Sequence, residues 1–270
     1  MKRTNDMTKI LDVKNLTVSI DDHCVIDHVS FSIDAGRITA LVGESGSGKT
    51  LTGLAILDLL PEAARKERGE IFFREKNIAR LKNAEKREIR GKNIAMVFQE
   101  PFTSLNPVMP VGEQIAEIFE AHTEDTKCAI EDKIKNLFNL VKLDPDIFCR
   151  YPHELSGGMR QRVMLAMALS CDPDLIIMDE PTTAIDVLIQ KEILELIKRL
   201  QREKHFAILF ITHDFSIVNM IADDISVMKK GRIVEQGTKE EVLHGAKHDY
   251  TRRLLDCIPK IGDTRRRLPV

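Results

Sequence analysis

One octapeptide constrains this chain more than any other feature. Gly43-Glu44-Ser45-Gly46-Ser47-Gly48-Lys49-Thr50 has the spacing GxxxxGK[ST]. It follows Arg37-Ile38-Thr39-Ala40-Leu41-Val42, which reads as a buried strand, and precedes a helical stretch from Leu51 to Leu60 limited by Pro61. Glycines let the backbone curl so that several N–H groups point inward. A helix beginning near Lys49 adds the positive end of its dipole. The result is a phosphate cradle, in which Lys49 reaches the β- and γ-phosphates and the Thr50 hydroxyl can ligate Mg²⁺. The competing reading, a glycine-rich turn without a ligand, leaves the strand–loop–helix setting unexplained.

The rest of the chain alternates strands with helices. Ile10–Val13, Leu16–Ile20 and Val29–Ile33 read as short early strands, and Gly69–Phe73 and Ile94–Phe98 as further ones. Between about 100 and 165 the pattern changes to apolar residues at helical spacing, as in Val111–Ala121 and Ala129–Val141. This reads as a helical subdomain inserted into an α/β frame. Strand Leu175–Met178, helix Ile189–Lys204, strand Ala207–Ile211 and helix Phe215–Ile221 follow. Ile225–Met228 and Arg232–Glu235 suggest a hairpin, with short helices at Glu240–Leu243 and His248–Leu255. Such alternation predicts a mostly parallel sheet covered on both faces.

Several strand ends carry chemistry. Leu175-Ile176-Ile177-Met178 delivers Asp179 to hold Mg²⁺, and Glu180 one residue on to polarise or deprotonate a water. Phe98-Gln99 ends another apolar strand, where the Gln99 amide can touch the metal or the water. Ile211-Thr212-His213 ends a third, where His213 can hydrogen-bond the γ-phosphate or hold the water. Leu155-Ser156-Gly157-Gly158-Met159-Arg160-Gln161-Arg162 opens a helix from Met159 to Ser170, with Ser156 as a good N-cap and free N–H groups behind it. Alone it would be a plain capped helix. Two phosphate cradles in one chain suggest a sandwich, each cradle facing a different side of a nucleotide.

Composition narrows the class. The chain has 270 residues, 43% of them apolar and 30% charged, enough for a core without disulfides or structural metal. Lys plus Arg is 40 and Asp plus Glu is 42, a net charge of −2, which gives no global drive toward nucleic acid. No apolar run is long enough to cross a bilayer, and the polar start Met1-Lys2-Arg3-Thr4-Asn5-Asp6 gives no sign of a secretory signal. The five cysteines are scattered, with no CxxC pair. That fits reduced thiols in the cytosol, each a small buried hydrophobe.

Taken in order, GESGSGKT, the Gln99 loop, LSGGMRQR, Asp179-Glu180, Thr183-Ala184-Ile185-Asp186 and His213 resemble an ABC-transporter ATPase over roughly residues 9 to 270. Gln99-Glu100-Pro101-Phe102-Thr103-Ser104-Leu105-Asn106-Pro107, Val234-Glu235-Gln236-Gly237 and Tyr250-Thr251-Arg252-Arg253-Leu254-Leu255 resemble its peptide and nickel import branch. The resemblance implies a P-loop NTPase (RecA-like) α/β fold, with a mostly parallel sheet, an N-terminal antiparallel β part and the inserted helical subdomain. One ABC ATPase domain would span 9–258, followed by a short tail, 259–270. It implies an ATP hydrolase coupled to import, with ATP and Mg²⁺ as cofactors. The catalytic set would be Glu180, His213 and Gln99, and the metal set Thr50, Gln99 and Asp179. Nucleotide would be held by Gly43, Glu44, Ser45, Gly46, Ser47, Gly48, Lys49 and Thr50 of one subunit. Ser156, Gly157 and Gly158 of a second subunit would cover the γ-phosphate, and Asp186 would lie at the seam. The expected partners are two membrane permease subunits, a second homologous ATPase that is usually a different chain, and an extracytoplasmic binding protein, with no nucleic acid. The expected place is the cytoplasmic face of the cell membrane.

Two departures stand out. The family usually stacks adenine on an aromatic residue after the first strands, but 19 to 27 contains no Phe, Tyr or Trp. Ile20, His23 or Val25 would pack there instead. The chain also stops at Val270, short of the cysteine-bearing tail of many peptide-branch members. With the short Asp21-Asp22-His23 turn, this favours nickel over peptide as cargo, and a chain whose only metal is the Mg²⁺ that arrives with ATP. An ABC ATPase acting on DNA or in translation is the alternative. The interval from Lys49 to Ser156 lacks the heptads or paired cysteines of the DNA class, and the chain has one cassette where translation factors show two.

Overall fold

A computed structural model describes residues 9–99, 104–183 and 185–256. The chain opens with a hairpin of β1 (Lys9–Ile20) and β2 (His23–Asp34). Its turn residues Asp21 and Asp22 both have positive φ, 44° and 63°. That is the twist a two-residue hairpin turn demands. The two stretches expected over Ile10–Ile20 join into one strand, because a register shift between Val13 and Leu16 absorbs the break in alternation. β2 is longer than Val29–Ile33 for the same reason, since its ladder with β1 runs out to the turn.

Strand β3 (Ile38–Val42) leads through the phosphate loop into α1 (Lys49–Leu57). This helix stops before Pro61, because Asp58 turns left-handed at φ 54° and donates back to Ala55 and Leu54 carbonyls. β4 (Ala64–Phe73) pairs with β1 and with β5 (Lys76–Asn77), giving a sheet in the order β2-β1-β4-β5. The first half of β4 is charged and has no alternation, so only its pairing with β1, from Ile20 opposite Ala64, makes it a strand. Helix α2 (Asn83–Ile89) has no buried residue, so no apolar stripe marks it in the sequence.

The second sheet holds β6 (Ile94–Val97), β7 (Leu175–Asp179), β8 (Ala207–Thr212), β9 (Asp224–Lys229) and β10 (Arg232–Thr238). Its order is β10-β9-β3-β8-β7-β6, with every pair parallel except β9–β10. Every residue of β3, β7 and β8 is buried, as a parallel sheet covered on both faces requires. Alternate residues go to opposite faces. Leu41, Ile177 and Leu209 pack with α1 and the antiparallel sheet. Ile176, Met178, Ile208 and Phe210 pack with the helical part.

That part comprises α3 (Val111–His122), α4 (Lys127–Leu140) and α5 (Gly157–Leu169). Ile130, Ile134, Leu137 and Phe138 give α4 its buried stripe. After it come α6 (Val187–Lys204), α7 (Phe215–Ile221), α8 (Lys239–Gly245) and α9 (Asp249–Asp256). One expectation fails: Cys24, Cys128 and Cys149 are exposed and Cys171 is half-buried, none of them bonded to another. Cys24 stands at the exposed start of β2, and Cys128 lies outside the buried stripe of its helix. Cys257 lies outside the described residues, as do Glu100–Thr103, Ala184 and the tail beyond Asp256. No helix among the described residues is long and apolar enough to cross a membrane.

Candidate nucleotide site

The phosphate loop leaves β3 at Gly43 and enters α1 at Lys49. Two positions in it admit only glycine. A Cβ at Gly43 would stand 2.1 Å from the Met228 carbonyl oxygen, and Gly48 has φ 103° as the residue before α1. Lys49 is buried, and its Nζ donates to the Gly43 and Glu44 carbonyls at 2.8 and 2.9 Å. Burial lowers the Lys49 pKa, against the opposing pull of Glu180, Asp179 and Glu44. Ser47 Oγ is buried with no partner among the described residues, and α1 has no side-chain cap. Glu44, Ser45 and Gly46 are exposed at the loop's outer edge.

The neighbouring strand ends close the site. Thr50 Oγ1 donates to Asp179 Oδ1 at 3.1 Å, joining the loop to β7. Asp179 is buried, and burial raises its carboxyl pKa while the Thr50 bond opposes the rise. Glu180 follows with φ 43°, an uncommon conformation for a residue with a side chain. It is held there by its N–H on the Ile211 carbonyl, 2.9 Å, and by the Thr183 N–H on its own carbonyl, 3.1 Å. Its carboxylate has three partners. Thr183 Oγ1 donates to Oε2 at 2.9 Å, Gln99 Nε2 donates to Oε2 at 3.3 Å, and His213 Nδ1 lies 2.8 Å from Oε1. Gln99, Asp179, Glu180 and His213, expected from separate motifs, therefore meet the phosphate loop along one edge of the sheet.

The remaining candidates are not drawn into this cluster by their hydrogen bonds. Ser156 caps α5, its Oγ accepting from Met159 N at 3.3 Å, and both Ser156 and Gly157 are exposed. Gly158 packs against Ile189, where a Cβ would come within 2.7 Å. Asp186 is exposed and caps α6 through Leu188 N at 2.9 Å. Beside the loop, the Val25 carbonyl would lie 3.4 Å from a Cβ on Gly48, while His23 is exposed and Ile20 half-buried. Thr183 and Tyr250, whose hydroxyl accepts from Glu44 N at 3.2 Å, belong to the site's surroundings without having been assigned a role from sequence.

A polyanion with a divalent cation fits these groups. The buried ammonium, the unpartnered Ser47 hydroxyl and the uncapped helix start call for anionic oxygens. Thr50 and Asp179 offer two hard oxygens side by side, the donor type Mg²⁺ takes. Fold and site together define a P-loop NTPase.

The comparisons with known proteins agree. The family described as ABC transporter matches residues 26–183, and that described as oligopeptide/dipeptide transporter, C-terminal region, matches 234–270. The glutathione import ATP-binding protein GsiA of Escherichia coli is 44% identical over 98% of this chain and 45% of its own length. The dipeptide transport ATP-binding protein DppD of Bacillus subtilis is 42% identical over 94% of this chain and 78% of its own. Among solved structures, cbiO1 from Clostridium perfringens, part of the ABC transporter complex cbiONQ, superposes with a TM-score of 0.75 at 28% identity, covering 87% of this chain and 90% of that one. The ADP conformation of MJ1267, an ATP-binding cassette of an ABC transporter, gives 0.77 at 25% identity, covering 93% and 100%. The chain belongs to the ABC transporter family, in its peptide and nickel import branch. It spans less than half the length of the glutathione importer protein. None of these relatives is named for DNA or translation, the alternative class.

Proposed function

We propose that this chain binds and hydrolyses ATP to drive a bacterial binding-protein-dependent importer. The observation that carries the reading is the Glu180 carboxylate, gripped by Thr183, Gln99 and His213 one residue beyond the Thr50–Asp179 pair. Phosphoryl transfer needs little covalent help, so catalysis is placement and charge stabilisation. Lys49 and the loop N–H groups hold the phosphates. Thr50, Asp179 and Gln99 would hold Mg²⁺, which would supply positive charge against the phosphate oxygens. Glu180 orients a water and draws off its proton. His213 keeps Glu180 in place and offers its ring to the γ-phosphate.

Ser156, Gly157 and Gly158 cover the γ-phosphate of an ATP held by a second, homologous subunit, and Asp186 sits at the seam between the two sites. The exposure of Ser156, Gly157 and Asp186 in a single chain supports this reading, because a motif built for a neighbour's ligand is left open in its own subunit. Hydrolysis then depends on closure of the pair, which also excludes water. The helical part and the Gln99 loop meet two permease subunits at the cytoplasmic membrane face, and a binding protein delivers cargo outside. Relatives named for glutathione and dipeptides favour a small peptide over the nickel suggested by the Asp21-Asp22-His23 turn.

The test is uptake of labelled dipeptide, glutathione and nickel in a strain lacking this chain, complemented by wild type or Glu180→Gln. Loss of peptide uptake restored only by wild type supports the proposal. Unimpaired uptake of all three, or ATP-independent restoration, overturns it.

A further inference from the structure

One residue reaches the phosphate loop from the far end of the chain. Tyr250, near the start of α9, is buried, and its hydroxyl accepts a hydrogen bond from Glu44 N at 3.2 Å. It belongs to the buried apolar cluster that includes Ala40 and Val42 of β3, just below the loop, and Lys229 Nζ stands 4.6 Å above its ring. The segment before it is fixed from β10. The Glu235 carboxylate accepts from the backbone N–H groups of Lys247 and His248 at 2.6 and 3.2 Å. His248 Nδ1 then accepts from Tyr250 N at 3.1 Å.

The peptide unit between Gly43 and Glu44 is thus gripped at both ends. Its N–H goes to Tyr250, and its C=O accepts from Lys49 Nζ at 2.8 Å. A rotation of that peptide would remove one of the two carbonyls that aim the Lys49 ammonium along the loop. We propose that Tyr250 is a positioning residue for the phosphate loop, through which docking of the C-terminal segment sets nucleotide affinity. The inference rests on the nucleotide reading above. Linkage makes it reciprocal: if the docked segment strengthens nucleotide binding, bound nucleotide must strengthen docking of the segment by the same factor.

The experiment uses the full chain and its Tyr250→Phe variant, which keeps the ring and removes only the hydroxyl. Titration with a fluorescent MgATP analogue is expected to show 2–10-fold weaker binding, about the range for one neutral hydrogen bond. In the assembled ATPase pair, KM for ATP rises by a similar factor and kcat stays within about twofold. Hydrogen exchange at the Glu44 amide quickens in the variant without any nucleotide, and MgATP slows exchange in α9 of wild type more than in the variant. A purely structural tyrosine would lower the melting temperature and leave affinity and Glu44 exchange unmoved, which would overturn the proposal. A wild-type chain that binds no MgATP would instead overturn the nucleotide reading. The Glu44 exchange comparison would still decide whether Tyr250 holds the loop.

Discussion

His213 Nδ1 stands 2.8 Å from Glu180 Oε1, although 33 positions separate them in the chain. The sheet makes the contact. β7 and β8 run parallel with Asp179 opposite Ile211, so the residues just past each strand come out side by side. Thr183 and Gln99 hold the other carboxylate oxygen, so Glu180 has little freedom to turn away.

Glu180→Gln is therefore expected to keep nucleotide binding and lose turnover. The amide is isosteric and still meets its neighbours, but it takes no proton. ATP hydrolysis by the assembled transporter should fall by at least about 10²-fold, the scale of general-base help. A steady-state phosphate-release assay checks this, and near-normal turnover would remove Glu180 from the role.

Asp179→Asn separates stability from function. Burial lifts the Asp179 pKa above its ordinary 3.8, so the folded chain holds this proton more tightly than the unfolded one. Its contribution to stability is then greatest below pH 3.8 and is lost as pH rises through the folded value. At neutral pH the ionised carboxylate is a cost that asparagine removes. The variant should melt higher at pH 7, by about 2–4 °C for a gain on the order of 1 kcal/mol. The gain should shrink as pH falls toward 3.8, while Mg²⁺-dependent ATP binding weakens. Parallel thermal scans from acid to neutral pH measure it, and a lower melting point at pH 7 would contradict it.

Ser156→Arg tests which chain the α5 start serves. Ser156 is exposed, and its hydroxyl caps its own helix start. Nucleotide affinity of the isolated chain is expected to change less than about twofold. Hydrolysis at the partner's site in the assembled pair should drop at least about 10²-fold, on the scale of one lost donor to a developing charge. Weakened binding in the isolated chain would place the motif in its own site.

Thiol chemistry follows from the exposed cysteines. Cys24, Cys128 and Cys149 face solvent, while burial raises the thiol pKa of half-buried Cys171. Because the thiolate is the reactive form, Ellman's reagent should find at least three fast thiols in the native chain and a slower one at Cys171. Serine replacement at each of the three should remove one fast equivalent. A native chain with no fast thiol would restore the buried reading.

Most of the site is legible in the sequence because each part is a short contiguous motif at the end of an apolar strand. Gly43–Thr50, Asp179–Glu180, Gln99 and His213 need no knowledge of strand order to be picked out. What is lost is what depends on pairing across distance. Tyr250 meets Glu44 across 206 positions, and the first half of β4 is a strand only because β1 lies beside it. Helix α2 and the exposed cysteines escaped for the converse reason: sequence patterning detects burial, and these residues have little of it.

The parallel ladder also acts as a ruler. In the order β3-β8-β7-β6, Gly43, His213 and Glu180 directly follow the first three strand ends, and Gln99 comes two residues after the fourth. Adjacent strands lie about 4.8 Å apart, so this comb spans roughly 14 Å. Each tooth is set by pairings deep in the sheet, such as Ile176 with Ile208 and Ile94 with Leu175. A slip of one residue in any strand would move its tooth by about 3.3 Å and turn every side chain below it to the opposite face. The tolerance of the chemistry is thus fixed by apolar residues that never approach the nucleotide.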